Sequence, residues 1–255
     1  MRPYIGITDF ENFEQVQGML RVFKVHLRAG SNRQLHIGVM MSHKTLHGLP
    51  TKWLSVFAPK ETIAKIFASP ETYNCLHYAD YDANAGFSDD LSRAISFGGE
   101  NIRAVQLDMI WPNSNQIAQA VLASGLRIEV ILQINKNALD QVQNDPEALV
   151  RKLKTYDGAI QRVLLDKSMG RGLGMDAAGL LPFARAIRKS LPLLGIVAAG
   201  GLGPETMHLV EPLAAEFDDL SIDAQGRLRS SGSALDPIDW KIAETYIVKA
   251  LQLLF

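Results

Sequence analysis

The chain has a single cysteine, Cys75, among its 255 residues. It therefore cannot form an internal disulfide or a zinc site made of several cysteines, and it fits a reducing compartment. An excess of charge of either sign is also lacking, because 26 basic residues accompany 27 acidic ones. Such a chain produces no overall field that would attract nucleic acid or an anionic membrane. We therefore expect neither of these partners.

Long hydrophobic runs are absent as well. No stretch of the sequence approaches the roughly 20 consecutive apolar residues that a membrane-spanning helix needs. Residues 1–5 pass directly into a short apolar run and lack the longer hydrophobic segment of a signal peptide. These features predict a cytoplasmic protein. Apolar residues nevertheless make up 47% of the chain, which is enough for a large buried core.

Short apolar runs recur along the chain, with helical patterns between them. Eight candidate strands are predicted, and they begin near Pro3, Leu35, Asn74, Ile102, Arg127, Gln161, Leu193 and Asp219. Successive starts lie about 30 residues apart, which is the length of one strand, one helix and two loops. Runs such as residues 163–165 are apolar on both faces, as in a parallel sheet covered by helices.

Eight strand–helix alternations predict an α/β protein with the (β/α)8 TIM-barrel fold, in which residues 1–255 form one domain. An open doubly wound sheet is the alternative, but that fold usually has a glycine-rich turn after its first strand, and residues 6–9 lack this turn. Helix starts are predicted where Pro follows a capping residue, at Asp145-Pro146, Gly203-Pro204 and Asp236-Pro237.

The active site of a TIM barrel lies at the carboxyl ends of its strands. In this sequence those ends carry many polar side chains. Two or more acids in one active-site pocket can shift each other's pKa, so the carboxylates at these strand ends are candidate catalytic groups. They are Asp9, Asp108 and Asp166, and the candidate substrate-binding groups beside them are Lys44, Gln106 and Asp223. The alternative is that these residues are polar only because loops begin there.

Glycines are concentrated in the loops after the sixth and seventh predicted strands, at residues 170–174 and 200–203. Without a Cβ, glycine lets backbone N–H groups approach an anion closely, and both loops lead into predicted helix N-termini. Phosphate sites in TIM barrels often occupy the loops after the last strands. We therefore predict that a phosphorylated small molecule binds at this side of the barrel.

The carboxyl-terminal third of the chain resembles phosphoribosylanthranilate isomerase, a TIM-barrel family of tryptophan biosynthesis. The resemblance rests on residues 164–166, 170–176, 199–207, 221–226 and 235–242. It implies an Amadori rearrangement of a phosphorylated aminoribose, with Asp166 as the general acid. It also implies a phosphate site formed by Gly172, Gly174, Gly200, Gly201, Gln225 and Gly226.

Three positions depart from that family's pattern. Ile5 stands where the family has its catalytic Cys, and a hydrocarbon cannot accept a proton. Lys44 replaces the Arg that binds the substrate carboxylate, and Asp108 replaces a His. We therefore predict an isomerase-type enzyme with altered chemistry, in which Asp108 or Asp9 replaces the missing base. This interpretation requires no cofactor and no metal.

Three other functions stay open. A metal-dependent epimerase or lyase would bring together His43, His77, Asp80, Asp108 and Asp166. A Schiff-base aldolase would use Lys167, although strand alternation turns that side chain away from a cup that contains Asp166. A barrel that binds a sugar phosphate without catalysis would also retain the glycine loops. The apolar segment 246–255 is expected to close the barrel or to contribute to a homodimer.

Overall fold

The computed structural model describes residues 1–82, 85–166 and 175–254. Eight parallel strands form one closed barrel in chain order, and the first strand also pairs with the last. The strands are β1 (Tyr4–Thr8), β2 (Gln34–Ser42), β3 (Tyr73–Ala79), β4 (Ile102–Asp108), β5 (Glu129–Asn135), β6 (Arg162–Asp166), β7 (Gly195–Ala199) and β8 (Ser221–Ala224). Each begins within two residues of its predicted start, so the predicted (β/α)8 barrel is confirmed.

Helices connect these strands around the outside of the barrel. They are α1 (Phe13–His26), α2 (His43–Leu46), α3 (Ile63–Ile66), α4 (Phe87–Ser96), α5 (Ser114–Ser124), α6 (Lys136–Gln141), α7 (Pro146–Lys154), α8 (Ala177–Ser190), α9 (Glu211–Ala214) and α10 (Trp240–Leu253). Turns of 3₁₀ helix lie at Lys52–Ser55, Lys60–Thr62, Pro204–Val210 and Gly226–Leu228. Among the described residues, no helix is long and apolar enough to cross a membrane.

One of the three predicted helix starts is confirmed. The Asp145 side chain accepts hydrogen bonds from the first turn of α7, which begins at Pro146. After Gly203 the chain forms a 3₁₀ helix, Pro204–Val210, in place of the expected α-helix. The prediction at Asp236-Pro237 is wrong. The Arg229 Nε donates to the carbonyl of Asp236 at 2.6 Å, and this contact holds the segment against the β8 loop, so α10 begins only after the capping residue Asp239.

Side chains divide between two apolar clusters because successive residues of a strand point to opposite sides of the sheet. Ile5 and Ile7 are fully buried in the larger cluster, which fills the space between strands and helices. A smaller, separate cluster lies inside the barrel and consists of Tyr4, Tyr73, Cys75, Ala104, Ile131, Leu164, Val197 and Ala199. The centre of the barrel is therefore packed with side chains and is not a pore.

Arg162 closes the amino-terminal end of the barrel. Its side chain is 2% exposed, and its guanidinium lies 5.4 Å from the ring centroid of Tyr4 and 5.2 Å from that of Tyr73. Its Nε donates to Glu129 Oε2 at 2.7 Å, and its Nη2 donates to the carbonyl of Arg2 at 2.9 Å. Among the described residues, Arg162 therefore fills the interior at this end, and we expect a ligand to approach from the carboxyl ends of the strands.

Candidate functional site

The carboxyl ends of the strands form a mouth that contains the predicted acids. Asp108 ends β4, Asp166 ends β6 and Asp223 lies near the end of β8. The negative charge of Asp166 contributes to raising the pKa of both Asp108 and Asp223, although burial is the larger cause in each case. The structure therefore brings these three carboxyl groups into one electrostatically coupled set, as the alternation of the strands predicts.

Asp223 is the most strongly perturbed of these acids. Burial raises its pKa to about 7, and the charges of Asp9 and Asp166 act in the same direction. The hydroxyl of Thr8 opposes this shift by donating to both carboxylate oxygens, at 3.3 and 3.2 Å. Near neutral pH this carboxyl group is therefore present in both its protonated and its ionised form.

Two histidines, His36 and His77, lie inside the barrel near Asp223; the sequence predicted a role for His77 but not for His36. The Nε2 atoms of His36 and His77 are 3.3 Å apart, so one ring donates an N–H to the other. Burial lowers the pKa of both rings, that of His77 to about 3, and both are therefore neutral at pH 7. The sequence does contain a signal for this pair. Each histidine stands between two apolar strand residues that face the helices, so strand alternation turns the histidine toward the inside of the barrel.

Two glycines give these polar groups their space. A Cβ on Gly6 would lie 2.6 Å from Asp223 Oδ1 and 2.8 Å from His36 Nδ1. A Cβ on Gly38 would lie 2.5 Å from the hydroxyl oxygen of Thr8. Any larger residue at either position would displace a buried polar side chain, so the polar layer under the mouth depends on glycine in β1 and β2.

Asp108 is held by neighbours at the rim. It accepts hydrogen bonds from the Tyr81 hydroxyl and from the side chain of Asn135. These bonds lower its pKa, whereas burial and the charge of Asp166 raise it, and the net change is upward. Tyr81 itself is 66% exposed, which places the Asp108 carboxylate near solvent. Asp108 can therefore meet a ligand that enters the mouth.

Asp9 occupies a different environment from the other acids. Its Oδ2 accepts hydrogen bonds from Arg229 and, at 2.8 Å, from the side-chain nitrogen of Gln225. Its backbone has φ +84°, a left-handed conformation that Asp tolerates better than most residues. Its other oxygen, Oδ1, is buried and has no hydrogen-bond partner among the described residues. The ion pair with Arg229 and the hydrogen bond from Gln225 join the end of β1 to the loop after β8.

The remaining predicted binding residues are spread around the mouth. The Gln106 side chain donates to Gln133 at 3.0 Å, and its own oxygen is buried with no partner in the described parts of the chain. Lys44 is exposed on α2, at the outer rim. Gly200 and Gly201 have φ values of +99° and +68°, which glycine adopts without strain. Gly226 begins a 3₁₀ turn.

Some predicted residues lie outside the described part of the chain, namely Lys167, Gly172 and Gly174. The residues predicted for a metal-dependent epimerase are divided between two places. Among the described residues, two groups have ligand atoms within 4.8 Å of one another: His36, Cys75 and His77 inside the barrel, and His43, His47 and Asp90 at its edge. Neither group contains Asp108 or Asp166, so the predicted set is not assembled.

A cleft of about 450 Å³ lies elsewhere on the molecule. It is lined by residues that include Leu122, Leu126, Ile128 and Gln161, which precede or begin β5 and β6. It is therefore at the amino-terminal end of the barrel and contains none of the acids of the mouth.

These observations define the chain as a TIM barrel with a cluster of acids at its mouth. The sequence matches no protein-family model and no curated protein. The structure is similar to that of a phosphonopyruvate hydrolase, with a TM-score of 0.55, 14% identity, and coverage of 87% of this chain and 74% of that one. It is also similar to the tryptophan synthase alpha chain from Legionella pneumophila subsp. pneumophila, with a TM-score of 0.54, 10% identity, and coverage of 99% and 91%.

Proposed function

We propose that this chain is an isomerase-type enzyme that moves a proton within a phosphorylated small molecule. The observation that carries the proposal is the coupling of three carboxyl groups, Asp108, Asp166 and Asp223, at the end of the barrel opposite Arg162. A general acid or base works best when its pKa lies near the operating pH.

In this mechanism Asp108 is the base and Asp166 is the acid. Asp108 removes a proton from the carbon next to a carbonyl or imine group, and Asp166 delivers a proton to an oxygen of the substrate. The substrate gains and loses one proton, so its composition does not change. Asp223 supports this transfer. A carboxyl group with a pKa of about 7 takes up or releases a proton near neutral pH and thereby changes the total charge of the three coupled acids.

The phosphate is expected to bind to backbone N–H groups and not to Arg229. The Arg229 guanidinium is 4% exposed and is already engaged by Asp9 and by two carbonyl groups. The loop after β7 supplies the alternative, since Gly200 and Gly201 adopt left-handed conformations there. Because these residues have no Cβ, backbone N–H groups there can approach an anion closely. Lys44, exposed on α2, is the proposed contact for a second anionic group.

Hydrogen–deuterium exchange tests the proton transfer without knowledge of the full reaction. The protein is incubated in D2O with a panel of phosphorylated aldoses, ketoses and aminosugars, and deuterium at the carbon next to the carbonyl is followed by NMR. We expect at least one compound to exchange. Asp108→Asn and Asp166→Asn are expected to slow this exchange at least about 100-fold. The exposed Asp157 provides the matched control, Asp157→Asn, which leaves the rate unchanged.

The same samples separate catalysis from binding alone. Titration with inorganic phosphate, followed by ³¹P NMR, reports on the anion site directly. Phosphate binding without exchange of any compound would replace the enzyme proposal with a barrel that binds sugar phosphates. Absence of both phosphate binding and exchange, in folded protein, would contradict the whole proposal.

A further inference from the structure

A second group of chemically reactive side chains lies at the outer edge of the barrel, between α2 and α4. His43 and His47 are four residues apart on one helical turn, and their ring centroids are 4.5 Å apart. Asp90, in the first turn of α4, reaches both rings: its Oδ2 lies 3.0 Å from His43 Nδ1 and its Oδ1 lies 2.8 Å from His47 Nε2. Three side chains with metal-binding atoms thus converge from two separate elements.

We propose that His43, His47 and Asp90 bind a divalent transition-metal ion, with Zn²⁺ as the best match. Imidazole nitrogen and carboxylate oxygen are ligands that Zn²⁺ prefers, and two His with one acidic residue is a common set of three protein ligands. No residue of the mouth takes part, so this site is independent of the proposed proton transfer.

The spacing of the three side chains fits this ion. Bonds of about 2.0–2.2 Å at tetrahedral angles place neighbouring ligand atoms roughly 3.3 Å apart. The nitrogen–oxygen distances of 3.0 and 2.8 Å are slightly shorter. Each nitrogen–oxygen distance therefore needs to lengthen by only a few tenths of an ångström to admit the ion, and all the ligand atoms already lie within 4.8 Å of one another. Zn²⁺ would replace the imidazole protons that the carboxylate otherwise accepts.

Solvent can reach this group, unlike the other one. The side chains of His43, His47 and Asp90 are 17%, 34% and 13% exposed, so an ion can enter and a water molecule can complete its coordination. In contrast, His36, Cys75 and His77 are at most 3% exposed inside the barrel. The bound ion would tie α2 to α4 and would fix the turn that carries Lys44.

The alternative is an arrangement in which Asp90 only pairs with two imidazoles and no metal binds. Titration of the full-length protein with Zn²⁺ and Co²⁺, after removal of metal with a chelator, distinguishes the two. We expect one equivalent of Zn²⁺ to bind in calorimetry, and one equivalent of Co²⁺ to give the visible absorption of a four-coordinate site that Zn²⁺ abolishes. His47→Ala and Asp90→Asn are expected to weaken the affinity at least about 100-fold, since loss of even an outer partner costs 10–100-fold.

Three further variants identify the site and guard against misfolding. His47→Gln retains a donor to Asp90 but provides a poor zinc ligand, so it should keep the circular dichroism and thermal unfolding of the parent and still lose the metal. His26→Ala removes a histidine from the end of α1 and should bind Zn²⁺ normally. Cys75→Ser should also bind normally. The proposal is overturned by a lack of stoichiometric binding, by normal binding in His47→Gln, or by loss of binding in Cys75→Ser alone, which would place the ion inside the barrel.

Discussion

His36 and Asp223 approach each other across the space beside Gly6, where the imidazole Nδ1 lies 4.0 Å from the carboxylate Oδ1. Neither group has room to move away, because Asp223 is 5% exposed and His36 is completely buried. This pair links the neutral histidines of the interior to the acids of the mouth. Its geometry therefore depends on the size of the residue at position 6.

Gly6→Ala tests this dependence. The new methyl group would lie 2.6 Å from Asp223 Oδ1 and 2.8 Å from His36 Nδ1, so buried polar groups must shift. We expect the free energy of unfolding to fall by about 1–3 kcal/mol, as for other overpacked sites. Gly18→Ala in α1 is the control, since no atom lies within 4 Å of its Cβ, and alanine there should be neutral or stabilising by up to about 1 kcal/mol. Urea unfolding measures both; equal stabilities would refute the steric argument.

The raised pKa of Asp223 predicts a loss of stability as the pH rises. Between about pH 4 and pH 7 the folded state holds this proton and the unfolded state does not, so the free energy of unfolding falls with pH through this window. The contribution of Asp223 is as much as about 4 kcal/mol. Asp223→Asn should flatten this dependence of the free energy of unfolding on pH. The stability of the variant relative to the parent protein should therefore be higher at pH 8 than at pH 5. Urea unfolding at these two pH values measures the effect, with Asp157→Asn as control; an unchanged slope in Asp223→Asn would show that its pKa is ordinary.

The ion pair between Asp9 and Arg229 should be worth more than a surface ion pair. Both side chains are less than a tenth exposed, so removal of one leaves the other buried without its partner. We expect Asp9→Asn and Arg229→Met each to cost about 3–5 kcal/mol, with strong coupling in a double-mutant cycle. The exposed pair Lys136–Asp140 on α6 serves for comparison, and Lys136→Ala should cost about 0.5 kcal/mol or less. Similar values for the two pairs would contradict the expectation.

The proposed phosphate site predicts a specific effect of Gly201→Ala. Its φ of +68° is unfavourable for alanine, so the loop after β7 must change its conformation or become strained. Inorganic phosphate binding, measured by ³¹P NMR, should weaken at least about 10-fold through loss of N–H contacts, each worth about 1.5 kcal/mol to a charged group. Gly30→Ala carries a comparable strain at φ +84° in a loop between α1 and β2, and it should leave the affinity unchanged. Equal affinities in the two variants would remove the β7 loop from the proposed site.

The sequence predicted the barrel because eight strand–helix alternations recur about every 30 residues, and strands that are apolar on both faces fit a covered parallel sheet. It also predicted which acids share one end, since parallel strands in a closed barrel all finish on the same side. The helix start at Asp236 failed because a hydrogen bond from Arg229, seven residues away, decides the backbone there. A local rule for helix caps contains no information about such a contact.

Histidine pairing was harder to predict from the sequence. His43 was grouped with the acids of the mouth because it follows β2, but its partner is Asp90 on α4. The rotation of α4 about its axis determines which of its acids faces α2, and this rotation depends on the packing of neighbouring helices. Likewise, the β2–β3 register places His36 opposite Tyr73 and His77 opposite Met40. The two rings meet through the directions of their side chains, which the sequence does not reveal.

The buried guanidinium of Arg162 fills the amino-terminal end of the barrel. It anchors four surrounding groups at one end, while the loops at the other end contain the acids, the glycines and the helical turn with two histidines. Residues that maintain the fold and residues that choose the ligand are therefore separated along the barrel axis. Exchanging whole loops at the carboxyl ends of the strands with those of another barrel is consequently a route to new substrates. Such an exchange leaves the residues at the amino-terminal end of the barrel unchanged.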